Sequence, residues 1–247
     1  MPPCVRRFER TIPVHVLARE ADLTRTQRED LGKIEALTLL GVAQETTTRI
    51  PATRATDRRI DAVLFVRASL GNTRALESTA TVVHACFPHP SVLILENARG
   101  DVCLSAALTS RRKRATGFAV NAMEADSDIG LWRRTEQGKA FLSSLAFETL
   151  DQRSLAHLTQ DIMARIRLAR VARLVGFYPD PGLCRTPDVV AVIERLLECQ
   201  GRQDRLRARW KAHGTTQRER LQLRIPLSEA IDQTKAAVDE LTRRCGR

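Results

Sequence analysis

The spacing of apolar residues changes once along the chain, and that change constrains the fold more than any other feature. Up to about residue 128 the apolar residues fall in short runs, several of them alternating, separated by Gly, Pro, Asn and Asp. From about Thr135 they recur every three or four residues. Short alternating runs bounded by turn residues are strand signals, and a spacing of three and four is the signal of a helix face. The pattern predicts an α/β (α+β) chain. A small mixed β-sheet with a covering helix occupies 13–128, and a helical region over 135–247 ends in a helical hairpin or short coiled coil over 187–245.

Within the first part, Ile34 to Val42, Arg59 to Arg67, Ser91 to Asn97, Val102 to Leu108 and Thr116 to Glu124 read as strands. The third and fourth flank Ala98, Arg99, Gly100 and Asp101, a four-residue turn containing glycine, and so form a β-hairpin. Leu76, Ala80, Val83 and Phe87 share a helix face, with Asn72 as the cap and Pro88 and Pro90 as the stop. Pro51 holds its predecessor in extended backbone, so residues 50–57 read as a connection. Arg25 to Lys33 is compatible with a polar helix.

In the second part, Leu155, Leu158, Ile162, Ile166 and Ala169 share a face, with Arg165, Arg167, Arg170 and Arg173 mostly elsewhere. Residues 176–183 form a loop, and Thr186, Pro187 and Asp188 start the next helix with a cap, a first-turn proline and an acid at the positive dipole end. Gly214 ends that helix near Trp210, and Thr216 with Glu219 makes a capping box for the last one. Leu227, Ile231, Thr234, Val238, Leu241 and Cys245 alternate by four and three as a heptad seam. Pro226 predicts a kink or a restart.

Charge points to the partner class. The net formal charge is +11, and aromatic residues are 4% of the chain, so the core is aliphatic. Five of the 40 cations are lysines, at Lys33, Lys113, Lys139, Lys211 and Lys235. Arginine suits phosphate because its planar guanidinium donates two parallel hydrogen bonds and keeps its charge. Two clusters stand out. Arg111, Arg112, Lys113 and Arg114 contain no acid. Residues 202–224 carry Arg202, Arg205, Arg207, Arg209, Lys211, Arg218, Arg220 and Arg224 against Asp204 and Glu219. Contacts to a DNA backbone are expected from Arg111 to Arg114, Arg202, Arg205, Arg209, Arg218 and Arg220, in a salt-sensitive and sequence-indifferent manner. An acidic protein partner fits the same charge, which leaves open a purely protein–protein scaffold or a homo-oligomer through the C-terminal helices. Without interleaved aromatics, base stacking has no support.

Enzyme signatures are missing. The chain has no phosphate loop, no dinucleotide-binding glycine fingerprint and no nucleophile elbow. His84, Cys86, His89 and Cys103 are candidate zinc ligands, but Pro88 and Pro90 interrupt the run and no second pair of ligands follows. Neither metal nor cofactor is therefore expected. The alternative is a divergent metal-dependent nuclease, whose carboxylates would be Asp61, Glu96 and Asp101 around the strands. No acid-x-Lys pair lies on any of these strands. The six cysteines have no paired spacing, which predicts reduced thiols; together with the lack of a secretory or membrane-spanning apolar run, this predicts a cytoplasmic protein.

Arg49-Ile-Pro-Ala-Thr53, the strand from Ile60 to Arg67, the helix after it and Cys86-Phe-Pro-His-Pro-Ser-Val-Leu-Ile-Leu95 together resemble an uncharacterised prokaryotic family, domain of unknown function 4391. That family likewise ends in a charged helical region with a segment rich in glutamine and arginine, followed by an apolar–Asn pair. Here Gln217 to Ser228 is the matching piece, with Leu227 and Ser228 in place of the pair and Pro226 inserted. The resemblance implies an accessory role beside helicases or DNA methyltransferases in restriction-like, anti-phage assemblies. It supplies no catalytic residue.

Overall fold

A computed structural model of the chain describes residues 6–21, 23–55, 58–71, 75–111 and 118–246. The elements run β1 (Arg6–Thr11), α1 (Val14–Glu20), α2 (Arg25–Leu31), β2 (Ile34–Gln44), α3 (Glu45–Thr48), β3 (Thr53–Ala55), β4 (Arg58–Ile60), β5 (Ala62–Leu70), α4 (Leu76–Ala85), β6 (Ser91–Asn97), β7 (Val102–Arg111), β8 (Phe118–Asp126), α5 (Ile129–Trp132), α6 (Glu136–Ser144), α7 (Leu155–Val175), α8 (Pro187–Lys211) and α9 (Gln217–Cys245). The mixed α/β class is as expected. The strand expected over Arg59 to Arg67 divides at Asp61 into β4 and β5, and β1, α1 and β3 have no counterpart among the expected elements. The expected cap Asn72 lies outside the described residues, and α4 starts from Ala75 with no side-chain cap.

Six strands form one sheet in the order β1-β2-β5-β6-β7-β8, while β3 and β4 pair separately. Only β5 and β6 run parallel; their neighbours in the sheet are antiparallel. A parallel pair needs a crossover, and α4 supplies it. Alternate residues of each strand face this helix. Val66 and Ala68 of β5, Leu93 and Leu95 of β6 and Cys103 of β7 join Leu17 of α1, Leu31 of α2 and Ala80 and Val83 of α4 in one buried cluster. Removing each valine or leucine side chain of this cluster from water contributes about 1.5–3 kcal/mol. Gly100 closes the β6–β7 turn with φ +81°, a left-handed conformation that disfavours a side chain.

The intervening positions of β7, Leu104, Ala106 and Leu108, are buried as well, so β7 is covered on both faces. Glu124 of β8 shares that second face, and Arg167 of α7 donates to it through Nε at 2.8 Å. The start of α7 is tied to the same part of the chain, Leu155 N donating to Pro51 O at 3.0 Å and Ala156 N to Thr53 Oγ1 at 3.1 Å. These bonds explain where the chain divides. Its two compact units are 1–169 and 170–247, so residues 135–169 belong with the sheet instead of with the C-terminal helices.

α7 corrects another expectation. Arg165, expected away from the apolar face, is buried, whereas Arg173 is exposed. Arg165 is 3% exposed, and Asp161, one turn earlier, is also buried. Arg165 donates to Asp161 Oδ2 from Nε and Nη2 (3.1 and 2.9 Å), to Thr149 O from Nη2 (2.6 Å), to Thr149 Oγ1 from Nη1 (3.2 Å), and to Ser144 O. Asp161 Oδ2 in turn accepts from Asp151 N at 3.0 Å. The pair staples residues 144–151 to α7, leaving this guanidinium no donor face toward solvent.

Candidate nucleic-acid interface

The second unit is dominated by α8 and α9, antiparallel helices joined by a short turn. Gly214 in that turn has φ +93°. α9 begins at the expected capping box, in which Glu219 N donates to Thr216 Oγ1 (3.2 Å) and Thr216 N to Glu219 Oε2 (2.7 Å). These bonds to Thr216, and then the nearby Arg209 charge, hold the Glu219 carboxyl below its usual range. At the start of α8, Thr186 does not cap through its side chain; its hydroxyl donates to Leu183 O at 2.9 Å instead. α9 runs through Pro226 without a restart. The residues it buries are Leu223, Ala230, Thr234, Ala237, Leu241 and Cys245, while Ile231 is 39% exposed. The expected heptad seam is therefore displaced through its first part, because small Ala230 and Ala237 allow close approach where Ile231 and Val238 were expected to interlock. With the Gln203 amide oriented to suit its neighbours, its nitrogen donates to Thr234 Oγ1 (3.1 Å) and its oxygen accepts from Arg207 (2.8 Å).

Charge is distributed unevenly along the hairpin. At its base, Glu240 accepts from Arg195 across the helix pair and from Arg244 Nη2 at 2.8 Å, which lowers its carboxyl pKa, the Arg195 hydrogen bond first. Midway, Arg202 reaches Gln233 Oε1 at 3.3 Å and Glu229 at 4.0 Å. Toward the turn this compensation ends. Arg205, Arg209, Arg218 and Arg220 are exposed and form no salt bridge among the described residues. Arg195, Arg202 and Arg209 recur every seven residues on α8, and so span about 21 Å along one edge of that helix. Arg195, Arg202 and Arg205 line a groove of about 530 Å³ together with Glu198 and with Ala236, Ala237 and Glu240 of α9. Its lining carries three arginines against two glutamates.

Of the other expected cluster, Arg111 ends β7, and Arg112, Lys113 and Arg114 lie outside the described residues.

The carboxylates of the nuclease alternative do not converge. β5 and β6 are parallel with Ser69 beside Glu96, and Asp61 precedes β5. Asp61 is thus eight residues from that register position, about 26 Å along the strand. Each acid has its own local partner: Asp61 accepts from Arg59 at 2.6 Å, Glu96 from Arg67 at 2.7 Å and Asp101 from the Asn97 amide at 2.8 Å.

Two of the candidate zinc ligands, His84 and Cys86, are engaged elsewhere. His84 is fully buried, with Nδ1 2.6 Å from Ser91 Oγ and Nε2 2.9 Å from Ser105 Oγ. Ser105 Oγ donates onward to Glu124 O at 3.1 Å, so it accepts from Nε2–H, and Ser91 Oγ–H donates to Nδ1. Burial lowers the His84 pKa to about 3, which keeps the ring neutral. Cys86 donates to Val82 O at 3.2 Å, and burial pushes its thiol up to about 11. Among the described residues no group of three His, Cys, Asp or Glu side chains could hold a metal ion.

Three arrangements escaped the sequence reading: the Asp161–Arg165 staple, the Ser91–His84–Ser105 relay, and the Arg195–Glu240–Arg244 bridge. The first was hinted at by its spacing of four within a helix, as was the Glu240–Arg244 half of the third; the remaining contacts join residues whose proximity exists only in the fold.

The family described as Domain of unknown function (DUF4391) matches residues 3–233 of the chain. No curated protein and no solved structure matches it. No helix among the described residues is long and apolar enough to cross a membrane.

Proposed function

The chain belongs to the DUF4391 family, and we propose that it acts as a non-enzymatic accessory subunit of a DNA-handling, restriction-like assembly, adhering to nucleic-acid backbone through the turn end of its α8–α9 hairpin. The observation that carries this reading is the contrast along the hairpin. Arginines at the base are neutralised by Glu240 and Asp188, whereas Arg205, Arg209, Arg218 and Arg220 stand exposed without salt bridges among the described residues. Guanidinium groups without a salt-bridge partner on a helical hairpin are suited to phosphate, and they read no base sequence. The separation of Asp61 from Glu96 and Asp101 gives the nuclease alternative no assembled site.

A second reading, a protein–protein scaffold, is favoured by Leu221 and Ile225, 62% and 69% exposed and one turn apart on α9.

Duplex DNA binding measured across a salt series tests the proposal. Affinity should fall steeply with salt, and replacing Arg205, Arg209, Arg218 and Arg220 together with alanine should flatten the log–log slope by about 3–4, near 0.9 for each phosphate that is no longer neutralised. Absence of binding at low salt, or binding indifferent to salt, overturns the nucleic-acid role.

A further inference from the structure

The first turns of α9 expose apolar surface on the side away from α8. Leu221 and Ile225 lie one turn apart and are 62% and 69% exposed, above every other large apolar side chain among the described residues. The residues that this part of α9 buries, Leu223 and Ala230, fall on the opposite side. Helix periodicity also puts Arg218 and Arg224 on the outer face, three residues before and three after Leu221. Both are exposed and form no salt bridge among the described residues. Arginine stems are apolar and their heads charged, so the outer face is a Leu–Ile pair bordered by two cations. The acids nearest in sequence have other partners: Glu219 caps the helix at Thr216, and Glu229 approaches Arg202 at 4.0 Å.

Two classes of occupant fit this face poorly. A phosphate backbone accounts for the arginines but makes no use of two large aliphatic side chains. A second copy laid across the same stretch would bring arginine against arginine, a like-charge juxtaposition that costs affinity.

We propose that the outer face of α9 over 218–225 docks an acidic amphipathic helix of a partner protein. Apolar residues one turn apart on that helix cover Leu221 and Ile225, and Asp or Glu side chains flanking them accept from Arg218 and Arg224. The assignment rests on the protein-scaffold reading of the hairpin and gives that reading a partner chemistry. Burial of the two aliphatic side chains supplies the affinity, and the charge pairs set the orientation and reject basic helices.

The test uses the full chain and a labelled synthetic peptide of three heptads, with leucine at the first and fourth position of each and glutamate flanking them. A second peptide of equal charge has serine in place of leucine. Binding is read by fluorescence anisotropy. The leucine peptide should bind, and the serine peptide should bind about tenfold more weakly or worse. Leu221→Gln combined with Ile225→Gln should weaken the leucine peptide by about the same factor, whereas Leu142→Gln, at a leucine of α6 that is 44% exposed, should leave it unchanged. Arg218→Ala combined with Arg224→Ala should weaken binding and flatten its salt dependence. No binding of the leucine peptide, equal binding of the two peptides, or indifference to the glutamine replacements would each overturn the assignment. So would a concentration-dependent dimer, seen by light scattering, that the glutamine replacements return to monomer, since the occupant would then be a second copy. Duplex DNA titrated in parallel separates the two readings of the hairpin. Peptide binding without DNA binding supports this face and sinks the backbone reading, and DNA binding without peptide binding does the reverse.

Discussion

Acidifying the protein below pH 6.5 should destabilise it through one residue, His84. Its ring is enclosed by α4, β6 and β7, accepting from Ser91 and donating to Ser105, and is fully buried. A proton on Nδ1 would leave two donors facing each other. The unfolded chain takes up that proton near pH 6.5, the folded chain only near 3. Between these values the unfolded state binds one more proton, so the contribution is fully present above pH 6.5 and is lost as pH falls toward 3. The slope is about 1.4 kcal/mol per pH unit, which gives a loss of about 2 kcal/mol by pH 5 and about 5 kcal/mol by pH 3. Urea unfolding from pH 7.5 to 5, on the wild type and on His84→Asn, isolates this contribution. Other titrating groups, His89 among them, occur in both chains and cancel in the difference. The variant should be weaker at pH 7.5, having lost the donor to Ser105, and the gap should close by about 2 kcal/mol at pH 5. Parallel curves, or a His84 ring resonance titrating near pH 6.5, would refute the reasoning.

Two further perturbations probe the packing around α7 and α6. Replacing Arg165 with methionine removes every bond of the staple and leaves the Asp161 carboxylate buried, at a cost of about 3–5 kcal/mol in urea unfolding; a cost near zero would mean that the guanidinium is solvated. Gly138→Ala places a Cβ 2.2 Å from Trp132 O and 2.7 Å from Arg133 Cα, so backbone must move. The expected penalty is about 1–3 kcal/mol, read as a fall of about 2–4 °C in Tm per kcal/mol; an unchanged Tm would show that the α5–α6 corner is loose.

The elements with strong local signals were open to reading from the sequence. The β6–β7 hairpin needs only two apolar runs and a turn that tolerates Gly100, and α9 needs only Thr216 and Glu219 to declare its start. Pro226 misled because a proline removes a single helical hydrogen bond, a loss that packing of Leu223 and Ala230 against α8 offsets. The seam was misjudged for a related reason. Hydropathy favours Ile231, but at a close helix crossing the smaller Ala230 fits and the isoleucine is turned outward.

The candidate interface divides along the same line. That residues 202–224 carry a large positive excess is arithmetic on the sequence, and no fold could cancel it entirely. Which arginines remain available was decided by tertiary contacts. Arg165 is consumed by a carboxylate one turn away and by carbonyls of a preceding loop, Arg195 is consumed by Glu240 across the hairpin, and Arg205 and Arg209 form no salt bridge among the described residues. Composition and local spacing follow from interactions a few residues long, so the chain alone determined the strand-to-helix order, the caps and the excess of charge. Enclosure of His84 and separation of Asp61 from Glu96 each depend on the path of the backbone between distant residues, and only the assembled fold sets that path.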